Sequence, residues 1–370
     1  MRLAKSLSHC LSKDQRLAGS TGVVSSLGSL HLRANPTSRI VAPMKRLFVI
    51  SQLILWVGIV LAGTGRVFAQ DAEMLRHFDY DQKAAIEMKQ IGAEEREHAI
   101  IYDITYASPK GGVVPAYLVV PKGKGPFPAV IWGHWYWENS PMRNRKEFLD
   151  EAIALTQSGV VSLLPDGPIA RLDHVTNNEP LNEQQITDMV QTVVDMRRGL
   201  DLLLAREDVD PKRIAFVGHS YHASAGAILS GTDRRLKAFV LMAGSLSDEV
   251  DLQSKEEQEH RLKVGPERYD AFVKKYAWID PGNYVAHAGP AFVFLQYGKE
   301  KYFTPERIRE YEKIVSEPKR LKIYDAPHAL NAVARRDRIQ FLTEQLKLRP
   351  LSDSLIAAIP DLYQPPEANP

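Results

Sequence analysis

Ser220 stands in the run RIAFVGHSYHASAGAILSG, between a short apolar run and a stretch of small residues. A strand, a tight turn and a helix there would hold its hydroxyl at an exposed apex, in the pattern G-x-S-x-G. A serine hydroxyl is a weak nucleophile at neutral pH. It needs a base within hydrogen-bond reach, an acid to orient the base, and donors aimed at the developing oxyanion. His328, in YDAPHALN, is the candidate base. Glu300, in GKEKYFTPE, is the candidate acid and gives the chain order serine, acid, histidine. Asp248 and Glu249 are rival acids, whereas Asp325 lies too near His328 along the chain to orient it easily. Each residue also has a plainer reading: Ser220 as a helix cap, His328 as a surface loop residue, Glu300 as a solvated loop charge.

The oxyanion donors would be backbone N–H groups. One is Tyr221, directly after the serine; the other is His134 or Trp135, in WGHWYWE. Three of the five tryptophans, Trp132, Trp135 and Trp137, cluster in this stretch. Trp135 and Trp137 are expected to wall a substrate pocket, or else to pack as core. His222 replaces the glycine that usually ends the serine pattern. It is either a substitution braced by a local hydrogen bond or a ring bordering the site. Asp166 is read as bracing a turn, and Asp195, Arg197 and Arg198 as a solvated or bracing helix face.

These side chains need rigid elements to bring them together. AIIYDITYAS and VVPAYLVVP, around PKGG, predict a hairpin. FPAVIWGHW, VVSLLP, RIAFVG, LKAFVLMAG, PAFVFLQYG and RLKIYDAP are apolar runs expected of buried strands. Helical patterns alternate with them, the longest being NEQQITDMVQTVVDMRRGLDLLLARE. This predicts an α/β fold: a mainly parallel sheet, covered on both faces, with the hairpin as its antiparallel edge. Ser220, Glu300, His328, His134 and the rival acids Asp248 and Glu249 are each expected after a strand, at the carboxyl edge where such sheets carry their sites. Residues 245–287 interrupt the rhythm and are expected to form a partial helical cap. Residues 70–99 are expected to be a helical or irregular lead-in, residues 100–349 the catalytic domain, and residues 350–370 a tail.

The leader sets the compartment. Lys45 and Arg46 precede an apolar run at residues 47–63, and VFA at 67–69 offers a signal-peptidase site, so residues 44–69 are expected to be a secretory signal. An uncleaved anchor is the other reading, but the run is short for a span. Residues 1–43 are not expected in the mature protein; an upstream start or an organellar leader would explain them. Nine of the 47 basic residues and one of the 45 acids lie in residues 1–69, leaving 38 basic and 44 acidic residues, a formal net charge of −6. No nucleic-acid partner is implied. The single cysteine, Cys10, is also in the leader. A secreted or periplasmic protein without a stable membrane anchor is expected.

With these residues in place, the chain resembles the α/β-hydrolase superfamily, and more closely its dienelactone-hydrolase and acetyl-xylan-esterase-like branch. The motifs that carry the resemblance are GGVVPAYLVVPKGKGPFPAVIWGH, VVDMRRGLDLLLAREDVDPKRIAFVGHS, VFLQYGKEKYFTPE and KIYDAPHAL, which span most of residues 100–346. The resemblance implies hydrolysis of small-molecule or carbohydrate esters, without metal or organic cofactor, by Ser220, His328 and Glu300. A thiol-type dienelactone hydrolase is excluded, because serine holds the nucleophile position. An amidase or peptidase using the same three residues, and a catalytically silent binding protein on the same fold, are the alternatives.

Overall fold

The structure, a computed structural model, describes residues 72–136, 140–177 and 179–362. The expected signal segment, residues 1–43 and Trp137 lie outside the described residues. The described strands are β1 (Lys89–Glu95), β2 (Ala99–Ala107), β3 (Val113–Pro121), β4 (Phe127–Gly133), β5 (Val161–Pro165), β6 (Val209–His219), β7 (Ala238–Met242), β8 (Phe292–Gly298) and β9 (Lys319–Tyr324). They form one sheet in the order β1-β2-β3-β5-β4-β6-β7-β8-β9. The pairs from β1 to β5 are antiparallel, and those from β5 through β4 to β9 are parallel.

Alternation along β6 shows why its neighbours read as continuous apolar runs. Ile214 and Phe216 face the helix Glu183–Leu204, in a core with Val193, Val194, Leu200 and Leu203. Ala215 and Val217 face the opposite layer, with Leu155, Phe341 and Leu342 from the helices Leu149–Leu155 and Ala332–Leu346. A strand buried on both faces needs apolar side chains at every position. Each large apolar side chain so buried contributes about 1.5–3 kcal/mol.

The β2–β3 hairpin is as expected, turning through Gly111 (φ 103°) and Gly112 (φ 78°). One expectation fails: within the lead-in, β1 is a strand, not helix or irregular chain. Its residues KQIGAEE are almost all exposed, and it holds β2 through backbone pairing, with a register shift between Gln90 and Gly92. An outermost strand with both faces in solvent needs no apolar alternation, so none announces it.

Two further expectations are sharpened. Asp195 and Arg198 are buried and brace the fold. Asp195 accepts from Ser108 Oγ (2.6 Å) and pairs with Arg171, and Arg198 reaches Asp201 (3.2 Å) and the Ala84 carbonyl. Residues 245–287 contain the helices Lys255–Val264 and Pro266–Tyr276, joined by a bidentate Arg261–Asp270 pair at 2.7 and 2.6 Å. After residue 350 a short helix, Asp353–Ala358, sets Ile356 against the core. Among the described residues, no helix is long and apolar enough to cross a membrane.

Candidate active site

Ser220 sits between β6 and the helix Tyr221–Thr232 with φ 53° and ψ −113°, a strained conformation for a residue with a Cβ. Its N–H donates to the Met242 carbonyl (2.7 Å), which pins the turn to β7. Ser220 is partly exposed, whereas the residues on either side of it are buried. Gly218 makes the turn possible: a Cβ there would lie 2.4 Å from the His222 carbonyl oxygen. Tyr221 is the first residue of the helix, so its N–H has no partner within that helix.

His222 is wholly buried. Its Nδ1–H donates to the His134 carbonyl, and its Nε2 makes no hydrogen bond. Burial, with the His134 ring alongside, holds this imidazole well below its usual pKa. Space for it comes from two other strand ends. A Cβ on Gly133, the last residue of β4, would be 2.5 Å from His222 Cβ, and one on Gly167 would be 2.7 Å from Cε1. The ring therefore fills volume vacated by two glycines. It is held in place by packing and by the His134 carbonyl, as expected of a substitution braced by a local hydrogen bond.

His328 follows β9 and Glu300 follows β8. The imidazole Nδ1–H donates to Glu300, at 2.9 Å from Oε1 and 3.1 Å from Oε2, with both side chains largely buried. That leaves Nε2 as the ring's lone pair. Gly298 lets the two loops meet, because a Cβ there would lie 2.4 Å from the Ala326 carbonyl oxygen and 2.6 Å from that of Pro327. The rival acids lie elsewhere. Asp248 and Glu249 belong to the short helix Asp248–Asp251, where the Glu249 N–H donates to Asp280 (3.1 Å). Asp325 is exposed and faces Lys299 (3.4 Å).

The loop after β4 is more constrained than its sequence suggests. His134 is buried; its Nδ1–H donates to the Trp135 carbonyl (2.7 Å) and its Nε2 accepts the Gly167 N–H (3.0 Å). Burial lowers its pKa to about 4. The Trp135 N–H donates to Glu147 Oε2, so this expected oxyanion donor is already engaged. The Trp135 ring is also buried, stacked on His219 at 5.1 Å. Asp166 braces its turn as expected, accepting the Arg145 N–H at 2.7 Å.

Sequence reasoning missed Glu147 and His219, which bond to each other beneath the site. It also gave no sign of a pocket beside Tyr221. A pocket of about 600 Å³, its open mouth included, has Tyr136, Ile169 and Tyr221 on its apolar side, with His174, Asn182, Gln184 and Asp188 among its polar groups. His174 Nε2 lies 2.9 Å from Asp188 Oδ2. Its lining comes chiefly from residues 169–188.

No protein-family model matches the chain. Over 197 residues, 49% of the chain, it is 25% identical to YtaP of Bacillus subtilis (strain 168), which carries a provisional name as a hydrolase; the alignment spans 65% of that relative's length. Among solved structures, acetyl xylan esterase 1 from Thermoanaerobacterium sp. JW/SL YS485 superposes with a TM-score of 0.62 at 19% identity, covering 74% of this chain and 93% of that one. The acetyl xylan esterase from Paenibacillus sp. R4 gives 0.59 at 18%, covering 75% and 94%. A glucuronoyl esterase from Solibacter usitatus gives 0.52 at 13%, covering 74% and 91%. At such identities the likeness is one of fold. Sheet order, the strained serine turn and these superpositions together show that the chain has the α/β-hydrolase fold.

Proposed function

We propose that the protein is a serine hydrolase that cleaves carboxylic esters through an acyl-enzyme, and that residues 44–69 direct it out of the cytoplasm. The observation that supports this most is the His328–Glu300 pair at the same sheet edge as the strained, partly exposed Ser220. Ser220 Oγ attacks the ester carbonyl while His328 Nε2 takes its proton. The Glu300 carboxylate holds the ring and stabilises the imidazolium. The proton then passes to the leaving alcohol, and water activated by His328 releases the acid. The Tyr221 N–H, with that of His134, stabilises the oxyanion.

The pocket beside Tyr221 favours a polar alcohol. The aromatic rings of Tyr136 and Tyr221 alongside planar amide, carboxylate and imidazole groups suit a hydroxyl-rich ring, and two structural neighbours are acetyl xylan esterases. The test uses p-nitrophenyl acetate and an acetylated xylo-oligosaccharide with the wild type and Ser220→Ala. Wild-type turnover of both, and loss of about 10³-fold or more in Ser220→Ala, is expected. Equal rates in the two proteins refute the assignment. Stoichiometric labelling of Ser220 by a fluorophosphonate separates an active enzyme from a silent binding protein, and matched ester and amide substrates separate an esterase from an amidase.

A further inference from the structure

His328 and Ser220 are carried by β9 and β6, with β7 and β8 between them. Three inter-strand spacings amount to about 14 Å. Sheet pairing alone therefore does not set the base against the nucleophile; the loop after β9 must lean back across two strands and be held there. A buried chain of hydrogen bonds spans this gap. His219, the residue before Ser220, places Nε2 3.0 Å from the carbonyl oxygen of His328. Its Nδ1 lies 2.5 Å from Glu147 Oε1, and Glu147 Oε2 accepts the Trp135 N–H. Glu147 and His219 are almost wholly buried. The Trp135, His219 and His328 rings stack, with His219 to His328 at 5.2 Å and 25°.

We infer that Glu147 and His219 are a positioning pair, tying the loop that carries His328 and the loop after β4 to the strand end that carries Ser220. This rests on the reading of Ser220, His328 and Glu300 as hydrolytic machinery. The direction of each bond is set by what its partner can do. A backbone carbonyl only accepts, so His219 Nε2 carries hydrogen. A backbone N–H only donates, so Glu147 Oε2 accepts. One proton remains between Oε1 and Nδ1. Burial raises the Glu147 carboxyl and lowers the His219 imidazole, and both directions favour the neutral pair with the proton on the carboxylic acid. The nearby charges, Arg338 and Glu151, satisfy each other bidentately at 3.0 and 2.6 Å. The neutral arrangement makes a clear chemical demand: an amide at position 147 can donate to Nδ1 and accept from Trp135 just as the acid does.

The test compares the full chain with Glu147→Gln, Glu147→Ala, His219→Gln, His219→Asn and Ser220→Ala. It reads kcat and KM on p-nitrophenyl acetate, the rate of fluorophosphonate labelling, and the melting temperature. Glu147→Gln is expected within about threefold of wild-type kcat, because it keeps both bonds. Glu147→Ala is expected to lose about 10²-fold in kcat and in labelling rate, with KM nearly unchanged, as a misplaced base does. At position 219, glutamine can extend an N–H toward the His328 carbonyl and asparagine is too short. Glutamine is therefore expected to exceed asparagine in kcat by about tenfold or more at similar melting temperature. Wild-type kcat in Glu147→Ala, equal kcat in the two position-219 variants, or a Glu147→Gln protein as slow as Glu147→Ala overturns the inference. Failure of the underlying assignment looks different: Ser220→Ala then hydrolyses as fast as wild type, whatever the other variants do.

Discussion

The volume shared by His222, Gly133 and Gly167 makes a prediction that can be worked through from distances. A methyl group on Gly133 would lie 2.5, 2.8 and 2.9 Å from Cβ, Cγ and Cδ2 of His222. All three atoms belong to one rigid unit, and it has little room to retreat. Its Nδ1 is bonded to the His134 carbonyl, and its far edge already presses on Gly167. Gly133 needs no left-handed backbone, so alanine there adds volume and nothing else. Overpacking of this kind costs about 1–3 kcal/mol, and the close, unyielding contacts put Gly133→Ala at the upper end, about 3 kcal/mol. His222→Gly removes the obstacle but forfeits a buried ring and its hydrogen bond, at about 2–4 kcal/mol. In that background Gly133→Ala fills space, so the double variant should be no less stable than His222→Gly alone. The coupling energy in the double-mutant cycle is then about 3 kcal/mol. Urea unfolding of the four proteins, followed by circular dichroism, measures it. Additive losses in the double variant, or a Gly133→Ala protein as stable as wild type, refute the packing account.

Three other outcomes arise from the same geometry. Glu300→Gln keeps the shape of the acid but not its charge, and should lower kcat by about 10²–10⁴-fold with little change in melting temperature; undiminished turnover would return the choice of acid to Asp248 or Glu249. His134 must stay neutral to accept the Gly167 N–H. With its folded pKa near 4, below the unfolded value, its contribution is intact above about pH 6.5 and is lost as pH falls toward 4. His134→Gln should therefore be less sensitive to acid than wild type, by about 3 kcal/mol between pH 7 and pH 4, and parallel stability curves for the two proteins would rule this out. Asp188→Ala opens the polar side of the pocket and should raise KM for an acetylated sugar more than for p-nitrophenyl acetate; equal effects on both would remove the pocket from substrate recognition.

Much of the fold is legible in the sequence because the central strands are covered on both faces. RIAFVG and LKAFVLMAG could hardly be anything else once turns bound them. The outer strand β1 escapes the same reading because its side chains meet water on both sides. At the site, Ser220, Glu300 and His328 are found by inspecting the residues just beyond each strand end. Glu147 stands beyond no strand end and is hidden among the charges of NRKEFLDEAIAL. Its signal is present all the same. Glu147, Phe148, Glu151, Ala152 and Leu155 are all buried, so two acids lie within the apolar stripe of that segment. An acid in such a stripe must have a buried partner. His219 is hidden for the opposite reason, since a histidine before the serine reads as part of the turn motif. Trp135 misleads as an oxyanion donor because the partner of its backbone N–H, Glu147, is invisible in sequence.

The relocated glycine has a consequence for how such turns are recognised. A search that spells out glycine two places after the serine passes over this chain, although the turn it seeks is built. The requirement is a fixed allowance of space among three strand ends, and here it is met on β4 and after β5 instead of on the helix. A fingerprint written as a sum of side-chain volumes over positions 133, 167 and 222 would find both versions. It would also flag chains in which two of the three positions are large, where no working turn can be built.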